Sequence, residues 1–385
     1  MMAFSLGLIA SARAMAASVN SAGETIPRCS APIWSFASRS RRESTFPELM
    51  GEPYAFAMRV LAALDKFRGT ATAKEACAAV GHACWELGFD CDEAPLADGG
   101  EGTLDVLGGP NRTSRVTGPL GDTVEAAWRL SRDVAVIEMA RASGLQLVGG
   151  AAGNDPVAAS TTGTGELIDQ ALDAGAKKII VCLGGSATTD GGYGAVRAIH
   201  APARLKAVEF IVACDVTTRF TDAARVFAPQ KGAKPNQVEL LTGRLERLRQ
   251  LYIEQFGVDV GEREGAGAAG GLAGGLAALG AELVPGFDVV ADEINLDERV
   301  EHCDIVITGE GFLDEQSFAG KVVGGMQGLA TMKGKRFGAI VGDSDVEADF
   351  PLASLTAMYG IDDAMTKTRT SIERAALDLL RRLAP

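Results

Sequence analysis

From Met58 to the C-terminus, short apolar runs alternate with helical patterns, and this alternation limits the possible folds more than any other feature of the chain. The runs are RVLAAL (59–64), VAVIEM (134–139), KKIIVCL (177–183), EFIVAC (209–214), CDIVIT (303–308) and RFGAIV (336–341). Their apolar residues are consecutive rather than every second one, so both faces of each strand need cover. A sheet with helices on two sides supplies that cover, which places the chain in the α/β class. The helical stretches carry end signals. TAKEACAAVGHACWEL opens with Thr72 and Glu75 at capping-box spacing, and TSIERAALDLLRRL repeats the spacing with Thr370 and Glu373. PNQVELLTGRLERLRQLYIEQF begins with Pro235, which suits a first helical position.

Composition excludes several classes. An apolar share of 47% with 23% charged residues describes a globular protein rather than a disordered one. The 47 glycines have no three-residue period, so collagen is excluded. A formal net charge of -13 opposes nucleic-acid binding, because a phosphate backbone would be repelled. No apolar run is long enough for a membrane helix, so no membrane partner is expected. The seven cysteines (29, 77, 84, 91, 182, 214, 303) show no zinc spacing and fit reduced thiols in a cytoplasmic protein. Cys77 and Cys84 are expected to share one packed helix face. Residues 1–57 differ from the rest, with nine Ser, five Arg and no Lys. They read as an N-terminal extension outside the fold, which begins near Met58; a targeting peptide and a disordered tail are the competing readings.

The chemistry is concentrated where strands end. LDKFRGT (64–70), PLADGGEGT (95–103), LGGSATTDGG (183–192), FAPQKGA (227–233) and ITGEGFLDEQSFAGK (307–321) combine Gly with charged or hydroxyl residues. In open parallel sheets, ligands bind beyond the carboxyl ends of strands. Glycines let backbone N–H groups approach an anion, which marks Gly99, Gly100, Gly102, Gly184, Gly185, Gly191 and Gly192. Ser186 and Thr188 can donate to phosphate. Asp190 cannot bind an anion, so it suits deprotonation of a hydroxyl or metal binding. Separate cradle, cations and base are what phosphoryl transfer needs.

Other motifs weigh less. GxxxxGK[ST] is absent, which argues against a P-loop kinase. GAGAAG (265–270) matches a dinucleotide fingerprint, but charged, Gly-broken residues precede it instead of a strand. It reads as a tightly packed small-residue helix, with a nicotinamide-dependent oxidoreductase as the weaker alternative. His82, His200 and His302 lack partners at telling spacing and read as structural or surface residues.

At these loops the chain resembles the bacterial glycerate kinase family, the class distinct from P-loop kinases. PLADGGEGT, VTGPLG (116–121), IEMARASGLQLV (137–148), LGGSATTDGG, VACDV (212–216), VFAPQKGA, GAGAAGGLAGGL (265–276), GAELVPG (280–286) and ITGEGFLDEQS resemble family segments in the family's order. The resemblance implies two α/β domains: a discontinuous Rossmann-like parallel sheet (58–103 and 265–385) and an inserted α/β domain (104–264), with the site between them. It also implies magnesium- and ATP-dependent phosphorylation of D-glycerate, with the 2-hydroxyl as the expected acceptor and the 3-hydroxyl as the alternative. On that reading Asp190 is the base, Arg68 holds the glycerate carboxylate, and Lys231 and Lys321 neutralise phosphate. Asp98 and Glu101 take magnesium, Glu310 and Asp314 belong to the nucleotide site, and Asp215 is a second-rank carboxylate. The partners implied are these small molecules; a homo-oligomer is left open. Three departures stand out. Arg68 replaces the usual Lys of the first loop, the Asn-Pro after CDV is missing, and Phe312 stands where Arg is common. In addition, Gly194–Val208 is much shorter than the family's connection, which predicts an exposed sheet edge or an incomplete domain, and a degenerate, non-catalytic relative as the alternative.

Overall fold

The structure is a computed structural model, and it describes residues 58–318 and 320–385. The expected extension, 1–57, lies outside the described residues. Among the described residues, eleven strands form two sheets. The first sheet contains β1 (Arg59–Leu64), β2 (Asp90–Glu93), β9 (Ile305–Leu313), β10 (Arg336–Ser344) and β11 (Leu352–Ser354), in the order β11-β10-β9-β1-β2 and parallel throughout. The second contains β3 (Arg112–Thr117), β4 (Thr123–Ser131), β5 (Val134–Glu138), β6 (Lys178–Cys182), β7 (Glu209–Ala213) and β8 (Glu282–Val284) in chain order. It is antiparallel from β3 to β5 and parallel from β5 to β8.

The consecutive apolar residues of β1 show why the sheet is covered twice. Val60, Ala62 and Leu64 face one core with the helices Ala73–Leu87 and Thr368–Leu383, while Leu61 and Ala63 face another with Phe287, Val322 and Met326. Successive strand side chains point to opposite faces, so an alternating apolar/polar strand would leave one of these cores unfilled. Ala73–Leu87 starts on the expected capping box, with Thr72 Oγ1 accepting from the Glu75 N–H and the Glu75 carboxylate accepting from the Thr72 N–H. Cys77 and Cys84 share its buried face. Pro235 is the first residue of Pro235–Phe256.

Four expectations change. First, residues 265–284 do not run with the first sheet: β8 pairs with β7, and Ala268, Leu272, Ala273 and Leu276 pack in the second sheet's core. A short strand at the free edge of β7, with no charge signal of its own, left no boundary mark in the sequence. Second, the last helix begins at Thr368, ahead of Thr370, and has no side-chain cap; Glu373 accepts from His82 Nδ1 at 2.8 Å instead. Third, GAGAAG is not helical throughout. Ala269, Gly270 and Gly271 adopt left-handed backbone, and a Cβ on Gly270 would lie 2.0 Å from the Thr188 carbonyl oxygen. Fourth, the short 194–208 connection exposes no edge. It forms one helical segment, Tyr193–Ala198, and a 3-10 segment, Pro202–Ala207; Ile199, between them, and Leu205 enter the core. β6 and β7 pair over their full length, Lys178 opposite Glu209, with β5 and β8 on the outer sides.

Candidate active site

The carboxyl ends of β1, β2, β6, β7 and β9 all lead into loops around one cleft of about 1140 Å³. Lys66, Arg68 and Gly69 enter it from the turn after β1; Asp98, Gly100, Glu101 and Gly102 from the loop after β2. Gly184, Gly185 and Ser186 follow β6, Cys214–Val216 follow β7, and Gln316 and Lys321 follow β9. Lys231 and Gln230 complete the wall from the 229–231 turn. Topology therefore gathers segments distant in sequence, as parallel sheets do at their carboxyl ends.

One part of the cleft is acidic. Burial, opposed by Lys66 and reinforced by Asp98, pushes the Asp65 carboxyl up to about 6. Burial and then the Asp98 charge push Asp215 up to about 7, although Asp215 Oδ1 accepts from the Gly286 N–H at 2.8 Å. Glu310 also rises to about 7 through burial, with Asp65 adding and Ser317 and Lys321 opposing. Its Oε1 is buried without a hydrogen-bond partner. Lys66 lies 3.5 Å from Asp98 and 3.7 Å from Asp65; burial disfavours its charge, but the two carboxylates outweigh that and raise its pKa. Donors gather at the turn after β6. Lys231 is 2% exposed, and its Nζ donates to Ser186 Oγ at 2.7 Å and to the Thr188 carbonyl at 2.6 Å. Burial pushes this ammonium down to about 7.

Glu138 holds the loop after β2. It ends β5, is 2% exposed, and its Oε1 accepts from the N–H groups of Gly102 (2.8 Å) and Leu104 (2.9 Å), while Arg141 Nε donates to Oε2 at 3.0 Å. A buried carboxylate satisfied by backbone donors fixes those donors in place. On the other side, Asn154 Nδ2 donates to the carbonyls of Ala187 (3.0 Å) and Lys231 (2.9 Å), tying the Lys231 turn to the loop after β6.

The model of the "Glycerate kinase family" matches residues 60–203 and 200–384. The chain belongs to the glycerate kinase family. It is 37% identical over 375 residues to the glycerate 2-kinase of Escherichia coli K12, with 85% of this chain and 98% of the relative covered. It is 36% identical to the glycerate kinase of Halalkalibacterium halodurans, with 83% and 97% covered. A solved chain from Salmonella typhimurium LT2, described as a candidate glycerate kinase 2, superposes with a TM-score of 0.74 at 35% identity, covering 85% of this chain and 98% of that one. The two matched segments meet at residues 200–203, inside the shortened connection.

Within this glycerate kinase fold the residues singled out from sequence divide into two groups. Arg68, Asp98, Gly100, Glu101, Gly102, Gly184, Gly185, Ser186, Lys231 and Lys321 line the cleft. Asp190 does not. Its Oδ2 accepts from Thr161 N–H (2.8 Å), Thr161 Oγ1 (2.8 Å), Gly194 N–H (3.1 Å) and Ser160 Oγ (3.5 Å), and its Oδ1 from Gly192 N–H (3.1 Å). Its lone pairs are committed to folding the loop, so the base role expected of it gives way to a structural one. Gly191 and Gly192 pack against Leu248 and Leu272, and Gly99 against Gly286, each where a Cβ would clash. Thr188 meets Lys231 through its carbonyl, and its Oγ1 is buried without a partner. Asp314 accepts from the Ser317 N–H at 3.0 Å, shaping the turn that precedes Lys321. Glu310 sits behind the wall among Asp65, Asp314 and Lys321. Sequence reasoning missed Lys66, Glu138 and Asn154. The signal for Glu138 was present: a charged residue closing a strand that is otherwise apolar.

Proposed function

We propose that this protein transfers the γ-phosphoryl group of ATP to the 2-hydroxyl of D-glycerate, giving 2-phosphoglycerate, in the cleft between its two sheets. The single observation that carries the reading is that cations and carboxylates from loops distant in sequence line one cleft. Arg68, Lys321 and Lys231 line it and can take anions; Asp98, Glu101 and Asp215 line it and can take a metal or a proton. Phosphoryl transfer depends on positioning and charge neutralisation more than on covalent chemistry by the protein. Family membership and relatives named as glycerate kinases support the same substrate.

The acidic group fits magnesium. It offers hard oxygen donors on Asp98, Glu101 and Asp215, and the Asp98 charge adds to burial in raising the pKa of Asp215. Among the described residues no three acidic ligand atoms converge there as a cage, which suits an ion that keeps most of its water. Asp98 and Glu101 would hold it, and bound there it would neutralise phosphate charge. Arg68 pairs with the glycerate carboxylate through its planar fork. Asp215 replaces Asp190 as proton acceptor: it lines the cleft, its Oδ2 accepts from no donor among the described residues, and its pKa of about 7 suits a general base. The glycine-lined turn after β6 orients the phosphates. The test is NMR of the product formed from purified protein, ATP, magnesium and D-glycerate. A 2-phosphoglycerate spectrum supports the reading; 3-phosphoglycerate overturns the regiochemistry; unchanged D-glycerate with bound ATP overturns the catalytic role.

A further inference from the structure

Lys231 lacks what a buried ammonium normally has. No carboxylate lies within salt-bridge distance of its Nζ among the described residues; its two partners, Ser186 Oγ and the Thr188 carbonyl, are neutral. Asp190 is the titratable group whose charge acts on it, and that carboxylate is already saturated by donors. A buried, unpaired charge is costly, so the group sheds its proton instead. Beside it, no backbone carbonyl among the described residues accepts from the N–H groups of Gly184, Gly185 or Ser186, and all three residues line the cleft. Gly185, at φ +59°, turns the backbone there. Lysine, serine hydroxyl and consecutive amides thus gather donors at one turn, with the Glu101 carboxylate against Gly185 as the acidic group beside them.

We infer that Lys231, Ser186 and the amides of Gly184–Ser186 form one oxyanion subsite in which the ligand and a proton bind together. The inference rests on the kinase reading for the identity of the oxyanion, a nucleotide phosphate or the glycerate carboxylate. In the empty cleft above neutral pH the neutral amine uses its two N–H groups to donate to the Thr188 carbonyl and to Ser186 Oγ. When an oxyanion enters, solvent supplies one proton to Nζ; the ammonium keeps both contacts, and its third N–H, together with the Ser186 hydroxyl, donates to the ligand. No covalent bond changes. Above neutral pH, affinity for the oxyanion therefore falls by up to tenfold per pH unit, because the proton must be taken from ever more dilute supply.

The experiment reads the lysine directly. The ε-carbon NMR signal of Lys231 in the full chain, assigned with Lys231→Arg, is titrated alone and with saturating ADP, D-glycerate or sulfate, the last as a plain tetrahedral oxyanion. Calorimetry at about pH 8 in buffers of different ionisation enthalpy counts protons taken up. We expect a titration near neutrality in the free protein, moved upward by at least one unit by one of these ligands, with close to one proton bound; Lys231→Arg binds that ligand with no proton uptake. A free-protein titration at the ordinary lysine value overturns the inference whatever the enzyme does. So does binding of all three ligands without movement of the Lys231 signal, which leaves the kinase reading intact. Movement with sulfate, but no binding of ADP or D-glycerate, sinks the kinase reading and keeps the subsite.

Discussion

Replacing Asp190 by asparagine separates a catalytic role from a structural one. In Asp190→Asn one carboxylate oxygen becomes an NH2 group. If the amide oxygen keeps the Thr161 and Gly194 donors, the NH2 group faces the Gly192 N–H, now 3.1 Å away without an acceptor. Leaving one buried donor unsatisfied costs about 1–3 kcal/mol, and the retained bonds lose the strength that charge gives them. Part of this is offset, because a neutral amide is easier to bury than a carboxylate. The expected net loss is about 2–4 kcal/mol, a fall in Tm of roughly 3–6 °C for a fold of this size. The assay is thermal melting beside steady-state kinetics across pH. The structural account expects the lower Tm, a raised KM from a misplaced Ser186 turn, and an unchanged acid limb of the kcat profile. An unchanged Tm with a ~100-fold loss of kcat and a vanished acid limb would refute it and restore Asp190 as the base.

Other expectations follow from the same contacts. Asp215→Asn should lower kcat at least ~100-fold with little change in Tm, as loss of a positioned base does; a rate within tenfold of wild type removes Asp215 from that role. The metal-free protein should lose stability as pH rises from about 4 to 7. Asp65, Asp215 and Glu310 have folded pKa values raised to about 6, 7 and 7, so their contribution is complete below the ordinary carboxylate range and is lost as pH climbs through those values. Melting curves across pH check this, and a flat profile contradicts it. Gly270→Ala should destabilise by more than about 2 kcal/mol, since a Cβ at φ +70° would strike the Thr188 carbonyl that accepts from Lys231; denaturant unfolding measures it. Thr72→Ala serves as the control remote from the cleft: it should cost about 1 kcal/mol through the lost cap and leave kinetics unchanged.

The sheet strands were legible because buried parallel strands must be apolar on consecutive residues, and β1, β5, β6, β7, β9 and β10 all are. Edge strands were not: β2 reads DCDE, and β8 and β11 have three residues each, so neither hydropathy nor length marked them. The missed β8 is what moved 265–284 into the wrong sheet. The loops of the site could be found from glycine beside charge, yet which side chain enters the cleft depends on backbone direction within a turn. Asp190 and Ser186 lie four residues apart in one motif; Ser186 lines the cleft, while Asp190 is bound by Thr161 and the Gly192 and Gly194 amides. Residues that hold the site from behind, such as Glu138 and Asn154, carry no motif because their partners are backbone groups far away in sequence.

Release of ADP by the purified full chain with ATP and magnesium, with and without D-glycerate, addresses the phosphotransferase assignment most directly. Release that depends on D-glycerate and equals the phosphoglycerate formed is the expected result. Binding of both substrates with no release beyond the glycerate-free rate would contradict it.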